Sequence, residues 1–168
     1  MSIKQFIGGR TIYGADGEHW TPYLTQFRIG RLHLHIFHRG DADPDAHDHP
    51  WDFWTFPLVS YVEEVWDAER REKSYRRVER FRLHARNAEF THRVIGRAAK
   101  VVSPADSELL GEWATEPGKI ITIVWKGPDR RKWGFWKDRG SWCWTPWRTY
   151  AFGGGKHTGC ENEGEAAE

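Results

Sequence analysis

Several things are scarce in this sequence, and each scarcity removes a class of protein. Net charge is nearly absent: 25 basic residues against 24 acidic ones leave +1 over 168 residues, so nothing demands a polyanionic partner. The short basic runs Arg70-Arg71 and Arg130-Arg131-Lys132 stand beside acidic residues. They read as solvated hairpin tips, since a nucleic-acid surface needs a basic stripe that persists along an element. Cysteine is limited to Cys143 and Cys160, one among tryptophans and one in a polar tail, so neither a metal pair nor a disulfide framework is expected. No run of about 18 apolar residues occurs, and residues 1–10 lack an apolar leader core. Neither a membrane helix nor a secretory signal is expected, and a cytoplasmic location follows by default. Phosphate-cradling glycine motifs are missing too, because Gly153-Gly154-Gly155 lies in a tail and not at a strand-to-helix turn. Ser107, Ser141 and Cys143 have no base at a motif-like spacing, which leaves nucleophilic catalysis without support.

Aromatic residues are abundant instead. Eleven tryptophans fall mostly in Trp51–Trp66 and Trp113–Trp147, and such rings fill a core or line a cavity. Helical periodicity is weak, while strand patterns recur. Arg31–Phe37 alternates, with Leu32, Leu34 and Ile36 on one face and His33, His35 and Phe37 on the other. Trp51–Trp66 reads as two strands meeting near Pro57–Ser60. Glu63–Trp66 and Ser74–Phe81 read as the arms of a hairpin with a charged tip at Asp67–Lys73. Ile120–Trp125 is a short buried strand ending at the Gly127-Pro128 turn, and Lys132–Trp136 with Trp142–Tyr150 would close the sheet. One short helix is allowed at Pro104–Trp113, capped by Ser103. With no repeat and no linker, the chain is expected to form one all-β domain over residues 1–152. A disordered polar tail is expected over 153–168.

The sharpest local signal is His47-Asp48-His49-Pro50-Trp51-Asp52. Histidines at i and i+2 on a strand project from one face and can converge on a single ion if a third ligand comes from a neighbouring strand. Glu89-Phe90-Thr91-His92-Arg93-Val94-Ile95 offers that third ligand, His92, at the start of another apolar stretch. His33 and His35 form a second HxH, but they share a face with Phe37 and are expected to be structural. His84 reads as a turn residue. His19, His38 and His157 have no partner at a recognisable spacing.

This pattern resembles the cupin superfamily, jelly-roll barrels whose first motif holds an HxH pair and whose second holds one histidine. The resemblance covers roughly residues 31–136. It departs where the family's motif glutamate would fall, at Phe53 or Trp54, and where its turn glycine would fall, at Ser60 or Tyr61. It implies a single-domain, double-stranded β-helix barrel with a first shell of His47, His49 and His92 around one divalent ion, similar in ligand set to the thiol dioxygenase branch. Iron(II) is favoured, with zinc, nickel or manganese as alternatives. A looser resemblance to phage-borne cupin-like proteins rests on His47–Phe53, Tyr61–Glu64, His92–Val94 and Trp133–Phe135 and implies no reaction.

Around that centre, Asp52 and Glu64 are the candidate acid/base residues. Asp52 would face the metal only if a bulge near Pro50 reversed its parity, and could otherwise orient an imidazole. One of Glu63 and Glu64 must face inward on its strand. Trp54, Trp125, Trp133 and Phe135 are the candidate walls of a substrate pocket, suited to a small, partly apolar molecule. The expected function is a metal-dependent enzyme acting on a small molecule, with a dioxygenase-type reaction ranked first. Metal-dependent isomerase, lyase or hydrolase chemistry, or a non-catalytic small-molecule-binding module, are the alternatives. A 2-oxoglutarate oxygenase motif fits poorly, because His49-Pro50-Trp51-Asp52 has one residue too many. A homodimer is expected by default, with no nucleic-acid partner indicated.

Overall fold

The computed structural model describes residues 7–16, 19–100 and 113–160. Among them the chain is all-β with one short helix. The strands are β1 (Ile7–Asp16), β2 (His19–Ile29), β3 (Leu32–Phe37), β4 (Ala46–His47), β5 (Phe53–Pro57), β6 (Tyr61–Asp67), β7 (Glu72–Val78), β8 (His84–Arg86), β9 (Thr91–Ala98), β10 (Thr115–Glu116), β11 (Ile120–Lys126), β12 (Gly134–Asp138) and β13 (Trp142–Pro146). Helix α1 (Trp147–Phe152) follows β13.

Eight of these strands form a jelly roll. β3 pairs with β11, β4 with β9, β5 with β8 and β6 with β7, all antiparallel. The chain therefore runs out, turns at the β6–β7 hairpin and returns beside itself as one long double ribbon. The ribbon rolls up because β5 also takes β11 as a neighbour, and β6 also takes β9. Two sheets result, with the orders β3-β11-β5-β8 and β4-β9-β6-β7, the arrangement of a two-Greek-key barrel. β1 and β2 widen the first sheet beyond β3, while β12 and β13 widen the second beyond β4. The core between the sheets centres on Tyr61, Val78, Val94 and Ile120, with Phe37 against them.

Strand alternation decides what faces this core. On β11, Ile120, Thr122 and Val124 are buried while Ile121, Ile123 and Trp125 point out. On β3 the two-residue period holds with the histidine face turned inward: His35 is buried, and Leu32 on the other face is exposed. His35 Nε2 shares a hydrogen bond with Gln26 Nε2, a structural role of the kind expected for the second HxH. His84 lies in strand β8 rather than a turn, with Nε2 bonded to the Glu79 carbonyl.

The chain departs from expectation near its end. β13 stops at Pro146, and Trp147–Phe152 is helical where a strand was expected to continue to Tyr150. Proline lacks the N–H that would continue the ladder and presets the backbone for a helix start. The expected helix at 104–113 lies, but for Trp113, outside the described residues. Cys143 and Cys160 form a disulfide, against expectation. Their separation in sequence hid a turn after α1 that folds the chain back onto the β12–β13 hairpin. Buried Lys137, opposite Cys143 in that hairpin, donates to the carbonyls of Gly155 and Thr158 and to Thr158 Oγ1. Residues 153–160 are thus pinned, so the packed chain runs past position 152, where the tail was expected to begin.

Burial drives the pKa of His35 down to about 3 and that of His33 to about 4, with the charge of Lys126 adding to both. A histidine depressed in the folded state stabilises the fold fully above pH 6.5 and loses that contribution as pH falls toward the folded value. Thermal melts with chelator present should therefore show stability falling between pH 6.5 and about 3. His35→Gln, which keeps a partner for Gln26, should shallow that slope.

Candidate metal centre

His47 and His92 are directly opposed across the antiparallel β4–β9 pair, which places their side chains on one face at close range. His49 follows two residues later, and its backbone N–H donates to the Ala88 carbonyl, so its ring returns to the same side. Asp48, between them, points the other way. Its Oδ1 accepts the Gly134 N–H at 2.7 Å, its Oδ2 accepts Trp144 Nε1–H at 2.9 Å, and Arg131 pairs with it at 2.8 Å. These contacts clamp the two-residue strand in register. Gly134 is needed there, since a Cβ would run into the Thr145 carbonyl oxygen.

The three imidazoles form a nearly equilateral triangle. Ring centroids lie 5.1 Å apart for His47–His49, 5.3 Å for His47–His92 and 5.2 Å for His49–His92. One ligand nitrogen from each falls within 4.8 Å of the others, and His49 Nε2 lies 3.1 Å from His92 Nε2. Two nitrogens each about 2.0–2.1 Å from one ion can span that distance. Burial holds His47 down to about pKa 3, with the charge of His92 adding to it. His49 is likewise well below its ordinary value through burial and then through His47 and His92. Both rings are therefore neutral at neutral pH, the form that ligates metals.

Glu63 completes the centre. It is fully buried on β6, and its Oε2 lies 2.9 Å from His92 Nδ1. Burial alone would raise its pKa, but His92, Arg76 and Arg86 together pull it down to about 2. As a carboxylate it can only accept, so Nδ1 carries the proton and the Nε2 lone pair faces His49. This is the carboxylate–histidine pairing that fixes the tautomer of metal-bound imidazoles. Arg76 and Arg86 occupy its other oxygen.

Aromatic rings wall the triangle. Trp51 stacks on His49 at 4.9 Å, with Phe53 at 4.6 Å; Phe90 lies 5.0 Å from His92; Trp133 and Phe135 approach His47 at 6.3 and 5.8 Å. Trp133 in turn stacks on Trp147, and Phe135 on Tyr150, so α1 backs this wall. Packing of this kind holds imidazoles in one orientation and excludes bulk water.

The candidate residues from sequence sort cleanly. His47, His49 and His92 come together, and Trp133 and Phe135 reach the site. Trp54 and Trp125 do not: they are paired across β5 and β11 and point outward, 41% and 50% exposed, because each sits on the outward-facing step of an alternating strand. Asp52 does not turn inward. Its carboxylate accepts the Ala88 N–H and binds Arg130 at the surface, so no bulge reverses its parity. Glu64 lies on the face opposite His92, paired with Arg93 and accepting Trp66 Nε1–H. The inward carboxylate of that pair is Glu63. Trp51, Phe53 and Phe90 were missed as wall residues, although two of them alternate with His49 in sequence.

No family model and no curated protein matches the chain. Among solved structures, it is similar to the iron(II) form of HppE, at 9% identity and a TM-score of 0.47, over 76% of this chain and 59% of that one. The chain thus spans little more than half the length of that protein. A cupin domain from Bordetella pertussis Tohama I gives 12% identity and a TM-score of 0.37 over 72% of this chain and 95% of that one. The capsular polysaccharide assembling protein CapF of Staphylococcus aureus gives 10% and 0.41 over 73% and 30%. The fold is a two-sheet jelly roll by its own strand pairing. At these TM-scores the likenesses carry no argument about chemistry, which rests on the site itself.

Loss of the Glu63 carboxylate should loosen the centre without dismantling it. Glu63→Gln is expected to weaken divalent-metal affinity about 10–100-fold in chelator competition, with the near-UV circular dichroism retained. Asp52→Asn should leave the affinity unchanged.

Proposed function

We propose that the chain is a metal-dependent enzyme of cupin type acting on a small molecule, with His47, His49 and His92 as ligands of one divalent ion. The observation that carries this reading is the meeting of three imidazoles with a buried carboxylate on the far nitrogen of one of them. A chance cluster of core histidines has no need of that carboxylate. Among the described residues, no other group of histidine, cysteine or carboxylate side chains gathers in this way. Three neutral ligands leave coordination positions for water or substrate.

When bound, such an ion supplies Lewis acidity or, as iron(II), redox chemistry toward dioxygen. An oxygenase-type reaction with iron(II) is the preferred form, because an all-histidine set without a ligating carboxylate is similar to that of the thiol dioxygenase branch. The chain's own part is to orient and to exclude. Glu63 keeps the His92 proton on Nδ1. Trp51, Phe53 and Phe90 hold the rings of His49 and His92, and Trp133 and Phe135 close the side toward His47. Among the described residues, Glu63 is the carboxylate hydrogen-bonded to these histidines, so proton transfer at this site falls to substrate, water or the histidines rather than to Asp52 or Glu64.

Elemental analysis of protein purified without added metal tests the reading. About one equivalent of a divalent ion is expected, lost in His47→Ala and His92→Ala variants that keep the fold. Iron with substrate-dependent oxygen uptake would support the oxygenase form, whereas zinc, nickel or manganese would move the reaction to isomerase, lyase or hydrolase chemistry. Wild-type protein that neither retains nor takes up a divalent ion would overturn the proposal.

A further inference from the structure

The first sheet carries several cations on its inner face, and among the described residues Asp129 is the one carboxylate lining the cleft beside them. The register sets Arg28 beside His33 and Gln26 beside His35 across β2–β3, with Arg10 next to Gln26 on β1. Lys126, at the end of β11, continues the inward row of Ile120, Thr122 and Val124. Its ammonium lies over the Trp51 indole, 4.4 Å from the ring centroid, and the other side of the contact chain is His49, stacked on Trp51 at 4.9 Å. A cleft of about 360 Å³ opens here, lined by Arg31, His33, Trp51, Lys126 and Asp129 among others.

Two observations mark this cleft as unfinished by the protein alone. Among the described residues, Lys126, Arg28 and Arg31 form no ion pair, and Asp129 is the one acidic residue lining the cleft. Burial and the charges of Arg10 and Arg28 hold Lys126 down to about 8 even with Asp129 opposing them. His33 lines the cleft as a neutral ring, its pKa lowered to about 4 by burial and by Lys126 and Arg28. Gathered cations call for an anion with several acceptor oxygens.

We propose that this cleft binds an oxyanion, the carboxylate or phosphoryl group of an acidic small molecule. Its place beside Trp51 and His49 makes it the acid end of the substrate. That last assignment rests on the metal-centre reading, whereas the anion site does not. Lys126 supplies the charge, Arg28 and Arg31 draw the ligand to the mouth, and Trp51 separates the acid group from the histidines.

Calorimetric titration of the full chain with malonate and with inorganic phosphate at low salt tests this. At least one probe should bind, with affinity falling as salt rises. Lys126→Met should cost at least about tenfold, Lys126→Arg should restore binding, and Arg28→Met, at an exposed position, should weaken it severalfold. The probe that binds identifies the acid group. His47→Ala should bind the probe as the wild type does, so a failed metal assay would leave this result standing. No binding of either probe at about 10 mM, or wild-type binding in both Lys126→Met and Arg28→Met, would overturn the proposal.

Discussion

Glu63 has no water to turn to, and its charge must be satisfied by the protein. Arg76 and Arg86 take one oxygen and His92 Nδ1 the other. A buried carboxylate held this way is strongly destabilising to break and directional while it lasts. The direction is what matters for the centre: with the proton fixed on Nδ1, the opposite nitrogen of His92 is free to meet the nitrogens of His47 and His49. Removing the carboxylate would leave two guanidinium groups facing each other and an imidazole free to change tautomer.

That contact exists because of a single irregularity. Between Val62 and Glu63 the β6–β9 register slips, so Tyr61 pairs with Arg97 but Glu63 pairs with Val94 and Val65 with His92. Along β6, Tyr61, Glu63 and Val65 keep one face, while β9 changes parity at the slip. A bulge re-aims side chains in this way at the cost of one unpaired residue. The apolar core around Tyr61 and Val94 and the polar knot around Glu63 and His92 thereby share one surface of one sheet.

Legibility followed the range of the interaction. Local alternation made β3, β5, β6, β7 and β11 readable, and the HxH spacing with a distant histidine pointed to the three imidazoles. What could not be read was parity set from outside a strand. Glu63 and Glu64 are neighbours in sequence, and only the register slip says which meets His92. Trp54 and Trp125 look like cavity rings by composition, yet their step in the alternation turns them outward. Asp52 depended on a bulge that does not form, because the Ala88 N–H and Arg130 hold it at the surface. The disulfide and the helix after Pro146 both depend on a fold-back of the chain end, to which residue composition is blind. Two long strands, β1 and β2, were not singled out at all. Their alternation is diluted by exposed residues on both faces.

The double-ribbon topology also divides local contacts from long-range ones. The β6–β7 hairpin closes over a few residues, whereas β3 must find β11 almost the whole length of the barrel away, and long-range closures of this kind slow folding. His49 and His92, 43 residues apart, lie on opposite sides of the hairpin tip. The imidazole triangle thus spans both runs of the ribbon, and an ion held by it would tie the outgoing run to the returning one.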